Sequence, residues 1–587
     1  MVVLYHLQIP HFENGFLGVD IFFVISGFLM AKLYTNGTWM DFYRRRLNRL
    51  YPAYLLTLFT TLIIGAFSTI PVDFRQLVDQ TLAGVFFFSN LFYWNQNSYF
   101  DKAAFNPLLN LWSLAVEVQF YLLVPFLYPV LRKHKWLFIA VFSASLFGCF
   151  IIQTISPKTS FFLMPLRIWE FLIGAWVAWW TTPNSKLFRA GSPNAPLIYL
   201  ALLLACIFTF NLKPDAVGTY LAGHPALPAL LVCALTGLIL KSEINHRFMA
   251  SPLGSAISRV GDYSYSIYLV HFPIIVLFNY VPFGGTRLQP DSLTSLTVVL
   301  ASVVIASIAS YRYAERGSAK RLNTRTFRIA AILVVVACAL VLSHVNWSRY
   351  SLQEQNIFGA WEDRDTYRCG KAFRIVHPTE ALCSIAEGNG DRKILLLGNS
   401  HADSIKGAFS NKAAEYGVST YFAVSNEPLM TGGPKAELFV AESLKRNITA
   451  IVLHYSNIYR SKSATAELEK LIALAKSNGI KVVLIAPVPT YDVHIPKAMF
   501  ERMGSYDSFR VNRTQHSERT QGFRAMMQRI EPMGVAVYDP AELLCQSNGE
   551  CRFATPDQKP YYFDAGHLTL SGAQLLKPLF DEILRSL

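Results

Sequence analysis

The sequence predicts two unlike parts: a multi-span α-helical membrane bundle, and after it an α/β domain whose parallel sheet carries helices on both faces. Three observations predict this. Of the 587 residues, 52% are hydrophobic and only 16% charged, against about 25% charged in an average soluble chain; mean hydropathy is +0.30. The charge is unevenly spread: residues 1–350 hold 26 Lys+Arg and 13 Asp+Glu, whereas residues 351–587 hold 27 and 26. Beyond residue 390, short apolar runs alternate with helical stretches, the pattern of a parallel sheet. A disordered or collagen-like chain is excluded. The positive excess belongs to the membrane part, where basic loops set orientation, so the pI of 9.3 does not argue for nucleic acid. The expected boundaries are 1–346 for the membrane domain, 347–390 for a linker outside the cytoplasm and 391–587 for the α/β domain.

A helical span needs about 20 mostly apolar residues. Such runs lie near 16–34, 51–68, 109–131, 136–155, 161–181, 196–212, 225–240, 262–281, 293–310 and 328–345. The opening MVVLYHL reads as the outer end of one more helix, truncated here, to which an upstream start would add about 10–20 residues. That makes about eleven spans if residues 77–94 do not cross. Basic clusters test the count: Arg44-Arg45-Arg46 with Arg49, Arg132-Lys133-Lys135, Lys186/Arg189, Lys241/Arg247/Arg259 and the run Arg312 to Arg328 all belong inside. An even number of crossings must then separate Arg49 from Arg132. The stretch 77–94, ending in the amide-rich NLFYWNQN, is therefore read as re-entrant or interfacial, and residue 350 onward lies outside.

The cysteines agree with that side. Cys149, Cys206, Cys233 and Cys338 sit in apolar runs as small buried hydrophobes. Cys369, Cys383, Cys545 and Cys551 lie in the polar part. Four cysteines allow three connectivities; the local one, Cys369–Cys383 with Cys545–Cys551, closes short loops and is the choice here. Disulfides imply an oxidising compartment. No metal-ligand spacing accompanies them, and no metal is expected.

Charged groups inside spans cost roughly 2.5–3.5 kcal/mol each on insertion scales and are functional candidates. His6 ends the first helix. Asp20 opens the second span, either as a helix N-cap or as a working carboxylate. Asn110, Ser113, Glu117 and Tyr121, spaced three, four and four, fall on one helix face and form a polar stripe that must face protein or water. Arg167 and Glu170, at i,i+3, read as an intramembrane ion pair. Arg46 and Arg49 stand just before a span with Pro52 near its first turn. They are either orientation anchors or a fork for phosphate oxygens, as a coenzyme A thioester on the cytoplasmic side would require.

The ordered runs LYHL, GFLGVDIFFVISGFLM, RRRLNRLYPAYLL, LLNLWSLAVEVQFYLLVPF, LRIWEFLIG and YSYSIYLVHFPI resemble the integral-membrane acyltransferase family three, the family of O-antigen and peptidoglycan O-acetylases. The resemblance covers most of residues 1–315. It implies acyl transfer from cytoplasmic acyl-CoA to an extracytoplasmic glycan, with His6, Arg46, Arg49 and Glu117 at the family's motif positions. Asn110 departs from it, since many members have histidine there.

In the polar part, KILLLGNSHADS reads as a buried parallel strand at 393–397, a turn at Gly398, and Ser400 where a helix over about 402–416 begins. Strands follow at 418–424, 449–455, 480–486 and 534–538, with helices at 436–446, 464–478 and 514–531. Active residues in such sheets sit at strand carboxyl ends. A serine nucleophile needs a base and a group that orients the base, and YFDAGHLTLSGAQLL supplies Asp564 and His567. Strand-GNSH with a terminal D-x-x-H resembles the SGNH hydrolase family, a three-layer flavodoxin-like α/β fold that occurs fused to membrane acyltransferases. Its serine block is usually GDS, so Asn399 departs from it. The family's oxyanion donors have candidates in Asn457 and Gly432. His401 reads as structural.

These readings lead to an O-acyltransferase, with acetyl as the first choice of acyl group. It would sit in the bacterial cytoplasmic membrane with the C-terminal domain outside. Acetyl-CoA is the expected donor and no resident cofactor is expected. The partners are acyl-CoA, membrane lipid and a lipid-linked or surface glycan, not nucleic acid. His6 and Glu117 would serve transfer within the bundle; Ser400, as an acyl-enzyme, would pass the group to a sugar hydroxyl. An SGNH carbohydrate esterase and a glycan flippase are the alternatives.

Overall fold

The structure is a computed structural model that describes residues 1–34, 38–96, 105–180, 195–209, 223–242, 251–283, 285–286, 288–316, 325–377, 379–430, 432–456 and 462–587. The chain divides into two compact units, Met1–Asn346 and Trp347–Leu587.

The first unit is helical. Among the described residues, seven helices are long and apolar enough to cross a membrane: Gly15–Leu33, Trp39–Ser68, Leu111–Lys133, Lys135–Ile155, Gly254–Phe278, Leu293–Arg316 and Ile329–Ser348. Shorter apolar helices at Ile168–Trp180, Pro196–Thr209 and Leu227–Lys241 cover three more predicted spans. The second long helix corrects the sequence reading. It starts at Trp39, capped by Thr38, and runs through Pro52, so Arg46 and Arg49 are inside the span-length helix rather than just before it. A proline inside such a helix is tolerated where neighbours serve the freed backbone groups.

Residues 77–94 do not form one span. A helix at Pro71–Val85 breaks at Phe86–Phe88, where Phe87 has φ +55°, and a short helix follows at Ser89–Asn95. Its amides are used inside the protein: Asn90 Nδ2 donates to Gln119 Oε1 at 3.1 Å, and Tyr93 Oη donates to Gln80 Oε1 at 3.0 Å.

Close packing in this unit rests on two glycines facing each other's helix. A Cβ on Gly27 would stand 2.0 Å from the Phe171 carbonyl oxygen, and one on Gly174 would stand 2.0 Å from that of Val24. Small residues at such crossings let backbones approach.

The second unit holds a six-stranded sheet: β1 (Leu382–Ala386), β2 (Lys393–Gly398), β3 (Ser419–Ala423), β4 (Ala450–His454), β5 (Lys481–Ile485) and β6 (Ala536–Tyr538). The spatial order is β1-β3-β2-β4-β5-β6. Neighbours from β3 to β6 pair in parallel, but β1 pairs antiparallel with β3. The sheet is therefore mixed, not parallel throughout as expected. The sequence reading missed β1 because its five residues LCSIA, which include the closing cysteine of the disulfide loop, are few and flanked by polar residues. On one face Leu395, Leu397, Ile451, Leu453 and Leu484 pack with Phe439, Leu468 and Leu471. On the other, helix Ser400–Glu415 lies against the two C-terminal helices Leu570–Gln574 and Lys577–Ser586. Both disulfides are the local ones, Cys369–Cys383 and Cys545–Cys551.

The chain leaves β2 for β3 on one side and returns to β4 on the other, so the order reverses beside β2. Gly398 matters here for closeness rather than for a turn: its Cβ would stand 1.8 Å from the His454 carbonyl oxygen.

Gly174→Val is expected to force the Gly18–Leu33 and Ile168–Trp180 helices apart. The detergent-solubilised chain should lose about 2–4 kcal/mol of stability, read as a lower thermal midpoint; an unchanged midpoint would refute the close contact.

Candidate active site

The end of β2 at the strand-order reversal is where ligands of open α/β sheets bind, and Ser400 opens the helix there. Asn399 is that helix's N-cap. Its Oδ1 accepts from the His401 amide at 3.1 Å and from the Ser456 amide at 3.3 Å, and its Nδ2 donates to Ser456 Oγ at 2.9 Å. An uncharged amide can both accept and donate in this way, and through these bonds Asn399 ties the segment after β4 to the segment after β2.

Ser400 Oγ lies 2.7 Å from His567 Nε2, and His567 Nδ1 lies 2.7 Å from Asp564 Oδ2. The three-residue spacing works as the sequence suggests, because one loop holds both partners. The amides of Gly566 and His567 each donate to Asp564 Oδ1 at 2.8 Å. Phe563 stacks on the His567 ring at 5.4 Å. Burial alone pushes the Asp564 carboxyl up, but the hydrogen bond and charge of His567 and the two amide donors outweigh it and hold the group well below the usual carboxylate range. An ionised Asp564 fixes the Nδ1–H tautomer and leaves Nε2 to take the serine proton.

His401 is buried, its ring 4.5 Å from that of His567. Burial, then repulsion from His567 and His454, hold it well below the usual imidazole range. His454, whose Nδ1 lies 3.2 Å from the Ile485 carbonyl, is brought down to about 4 by burial. Gly432 is exposed at φ +80°, a turn conformation suited to glycine. Asn457 lies outside the described residues. Arg368 was not foreseen. It is buried beside this site, with Nη1 donating to the Gly398 carbonyl at 3.0 Å and Nη2 to that of Asn426 at 2.6 Å.

In the first unit, Arg46, Arg49, Glu117, Tyr121 and Ser26 line a cavity of about 340 Å³, whose wall also includes Tyr265, Tyr268 and apolar side chains such as Phe22 and Leu114. Glu117 Oε1 accepts from Ser26 Oγ at 2.5 Å and from the Tyr121 hydroxyl. Glu117 Oε2 and Arg46 Nε are buried with no partner among the described residues. His6 is not in this wall. It stands next to it, with Nδ1 3.0 Å from His271 Nε2, and Tyr268, which does line the cavity, has its ring 5.6 Å from that of His271. The polar stripe is joined to the same helix: Asn110 Nδ2 donates to the Tyr268 carbonyl at 2.6 Å, and Ser113 Oγ lies 2.6 Å from Tyr268 Oη.

Residues 1–344 match the model of the acyltransferase domain family, and residues 368–582 match that of the SGNH domain fused to AT3 domains. The chain belongs to the acyltransferase domain family. The O-acetyltransferase OatA of Staphylococcus aureus is 29% identical over 338 residues, 54% of this chain and 54% of its own. YrhL of Bacillus subtilis, provisionally named a peptidoglycan O-acetyltransferase, is 30% identical over 362 residues, 56% of this chain and 53% of its own. This chain thus spans about half the length of these relatives. BcsY of Komagataeibacter xylinus, provisionally named a membrane-bound transacylase, is 29% identical over 59% of this chain and 89% of its own.

Within this acyltransferase-family unit, the predicted Arg167–Glu170 ion pair is present and belongs to a larger buried cluster. Arg167 Nε is 2.9 Å from Glu170 Oε1, but Arg167 Nη2 also donates to Asp20 Oδ1 at 2.9 Å, and His224 Nε2 lies 3.0 Å from Asp20 Oδ2. Asp20 is inside its helix, not at the cap. Sequence reasoning missed His224, His271 and Ser26, each a lone polar residue in an apolar run; only their partners, far along the chain, give them meaning.

The buried histidines of the second unit set a pH dependence. A folded-state value of about 4 for His454, against about 6.5 unfolded, makes the unfolded chain bind more protons below pH 6.5. Its contribution is complete above that pH and lost on acidification toward pH 4, on the order of 3 kcal/mol in all. His454→Leu should flatten that part of the urea-midpoint profile of Trp347–Leu587, followed in the full chain by proteolysis. The acid loss from Asp564, which begins only below about pH 4, should persist.

Proposed function

We propose that this protein is a membrane O-acyltransferase, with acetyl as the transferred group. It takes the group from cytoplasmic acyl-CoA and delivers it, through a serine acyl-enzyme, to a hydroxyl of an extracytoplasmic envelope polysaccharide. The observation that carries the reading is the complete Ser400–His567–Asp564 geometry in a chain whose other unit belongs to an acyltransferase family. A hydrolase alone has no use for an apolar, arginine-lined cavity in a bundle of span-length helices. The names of OatA and YrhL as O-acetyltransferases support acetyl as the acyl group, and that of YrhL a cell-wall glycan as the acceptor class.

In this reading the chain crosses the bacterial cytoplasmic membrane eleven times and carries residue 350 onward outside, where both disulfides form. Arg46 and Arg49 hold the phosphates of the donor, and His6 and Glu117 serve the transfer beside the cavity. In the second unit, His567 takes the Ser400 proton as Oγ attacks the acyl carbonyl. It returns a proton to the leaving group, and the sugar hydroxyl then repeats the exchange.

Ester content of the envelope glycan tests the relay. Ser400→Ala should abolish both glycan acetylation and hydrolysis of small activated acetyl esters. Glu117→Gln should abolish the first and spare the second. Wild-type glycan acetylation in Ser400→Ala would overturn the acyl-enzyme and leave the second unit an esterase.

The donor site has its own test. Arg46→Lys or Arg49→Lys keeps the charge but loses the planar fork, so glycan acetylation should fall about 10-fold or more at unchanged protein level. Full activity in both would reduce these arginines to orientation anchors.

A further inference from the structure

His271 has no part in the reading above, yet its geometry dictates the state of a residue that does. It lies in the helix Pro252–Phe278 and is fully buried. Its Nδ1 is 2.8 Å from the Tyr268 carbonyl oxygen and 3.1 Å from that of Ile267. A carbonyl only accepts, so Nδ1 of His271 carries a proton. Among the described residues no carboxylate lies at hydrogen-bond distance from His271 or from His6, and the two carbonyls alone do not offset the cost of burying an imidazolium there. The His271 ring is therefore neutral, and its Nε2 is a bare acceptor.

That acceptor lies 3.0 Å from Nδ1 of His6, with the two ring planes 12° apart and the centroids 5.2 Å apart. Of two facing ring nitrogens one must donate, and since His271 Nε2 cannot, His6 Nδ1 carries the proton. The neutral His6 ring has only one, so its Nε2 holds a lone pair. Phe272 and Tyr5 flank the His6 ring at 4.4 and 5.2 Å and limit its rotation.

The geometry points to His271 as a positioning residue: it fixes His6 in the Nδ1–H tautomer and leaves Nε2 as the proton acceptor of the membrane transfer step. It does for His6 what a carboxylate does for the histidine of a serine triad, with a backbone-anchored neutral imidazole in the orienting place. The inference rests on the proposed transfer role of His6. In that step Nε2 takes the proton of an acceptor hydroxyl as its oxygen bonds to the acyl carbon. The thioester C–S bond breaks, and the proton passes on to the leaving thiolate; His6 Nδ1–H stays bonded to His271 throughout.

The test uses the full chain in detergent, labelled with ring-15N histidine, with His6→Gln identifying the His6 signals. Protonated and bare ring nitrogens resonate far apart, and the spectrum should show His6 protonated at Nδ1 and bare at Nε2. His271→Leu should lose that preference and lower kcat for glycan acetylation about 100-fold, with KM for acetyl-CoA unchanged. His271→Gln, whose Oε1 accepts where Nε2 did, should recover most of the loss; His271→Asn, too short to reach, should not. A His6 protonated at Nε2 in the wild-type spectrum, or equal kcat in His271→Leu and His271→Gln, would overturn the inference. Wild-type acetylation in His6→Ala would instead remove the transfer role of His6, whatever the spectrum shows.

Discussion

A polar group taken out of water must be met by another group taken out of water, or it costs several kcal/mol. Both units are organised by that constraint. In the first, Asp20 faces Arg167 and His224, and Glu117 faces Ser26 and Tyr121. In the second, Asn399 meets Ser456, and Arg368 meets the carbonyls of Gly398 and Asn426. All but the Glu117–Tyr121 contact, which lies within one helix, join segments distant in the chain. The polar contacts that look like a site are thus also the ones that set where helices and strand ends lie.

Backbone closeness supplies the other half of the geometry. Gly27 and Gly174 let two helices touch through their main chains, and Gly398 does the same for β2 against His454 of β4. At the second of these places the approach has a chemical consequence. Asn399, with its bridge to Ser456, and Ser400 follow Gly398 one and two residues on, so the nucleophile's position follows from a strand spacing that no side chain larger than hydrogen would permit.

Local features were readable where local spacing makes them. The parallel strands β2 to β6 were visible as apolar runs, and the D-x-x-H loop was visible because its partners are three residues apart. The stripe from Asn110 to Tyr121 followed from helical period alone. What could not be read is what depends on a partner far away: that Asp20 serves Arg167 rather than a helix end, that His271 meets His6 across 265 positions, that Asn399 bridges two strand ends. The edge strand β1 escaped for a related reason. Its pairing is antiparallel to β3, and a short polar-flanked strand has little pattern of its own. Pro52 misled because prolines usually mark a first turn, whereas here the helix began a dozen residues earlier.

The Asp20 cluster has a consequence for how the protein is made. Its carboxylate is separated from Arg167 by 147 positions and from His224 by 204. During synthesis the helix Gly18–Leu33 leaves the ribosome long before either partner exists. For that interval the chain itself offers Asp20 nothing to neutralise it, and an unpaired carboxylate is costly in lipid. Until Ile168–Trp180 arrives, this helix holds Asp20 protonated or keeps it in a wet or protein-lined place. The charged cluster is completed only when the later helices join.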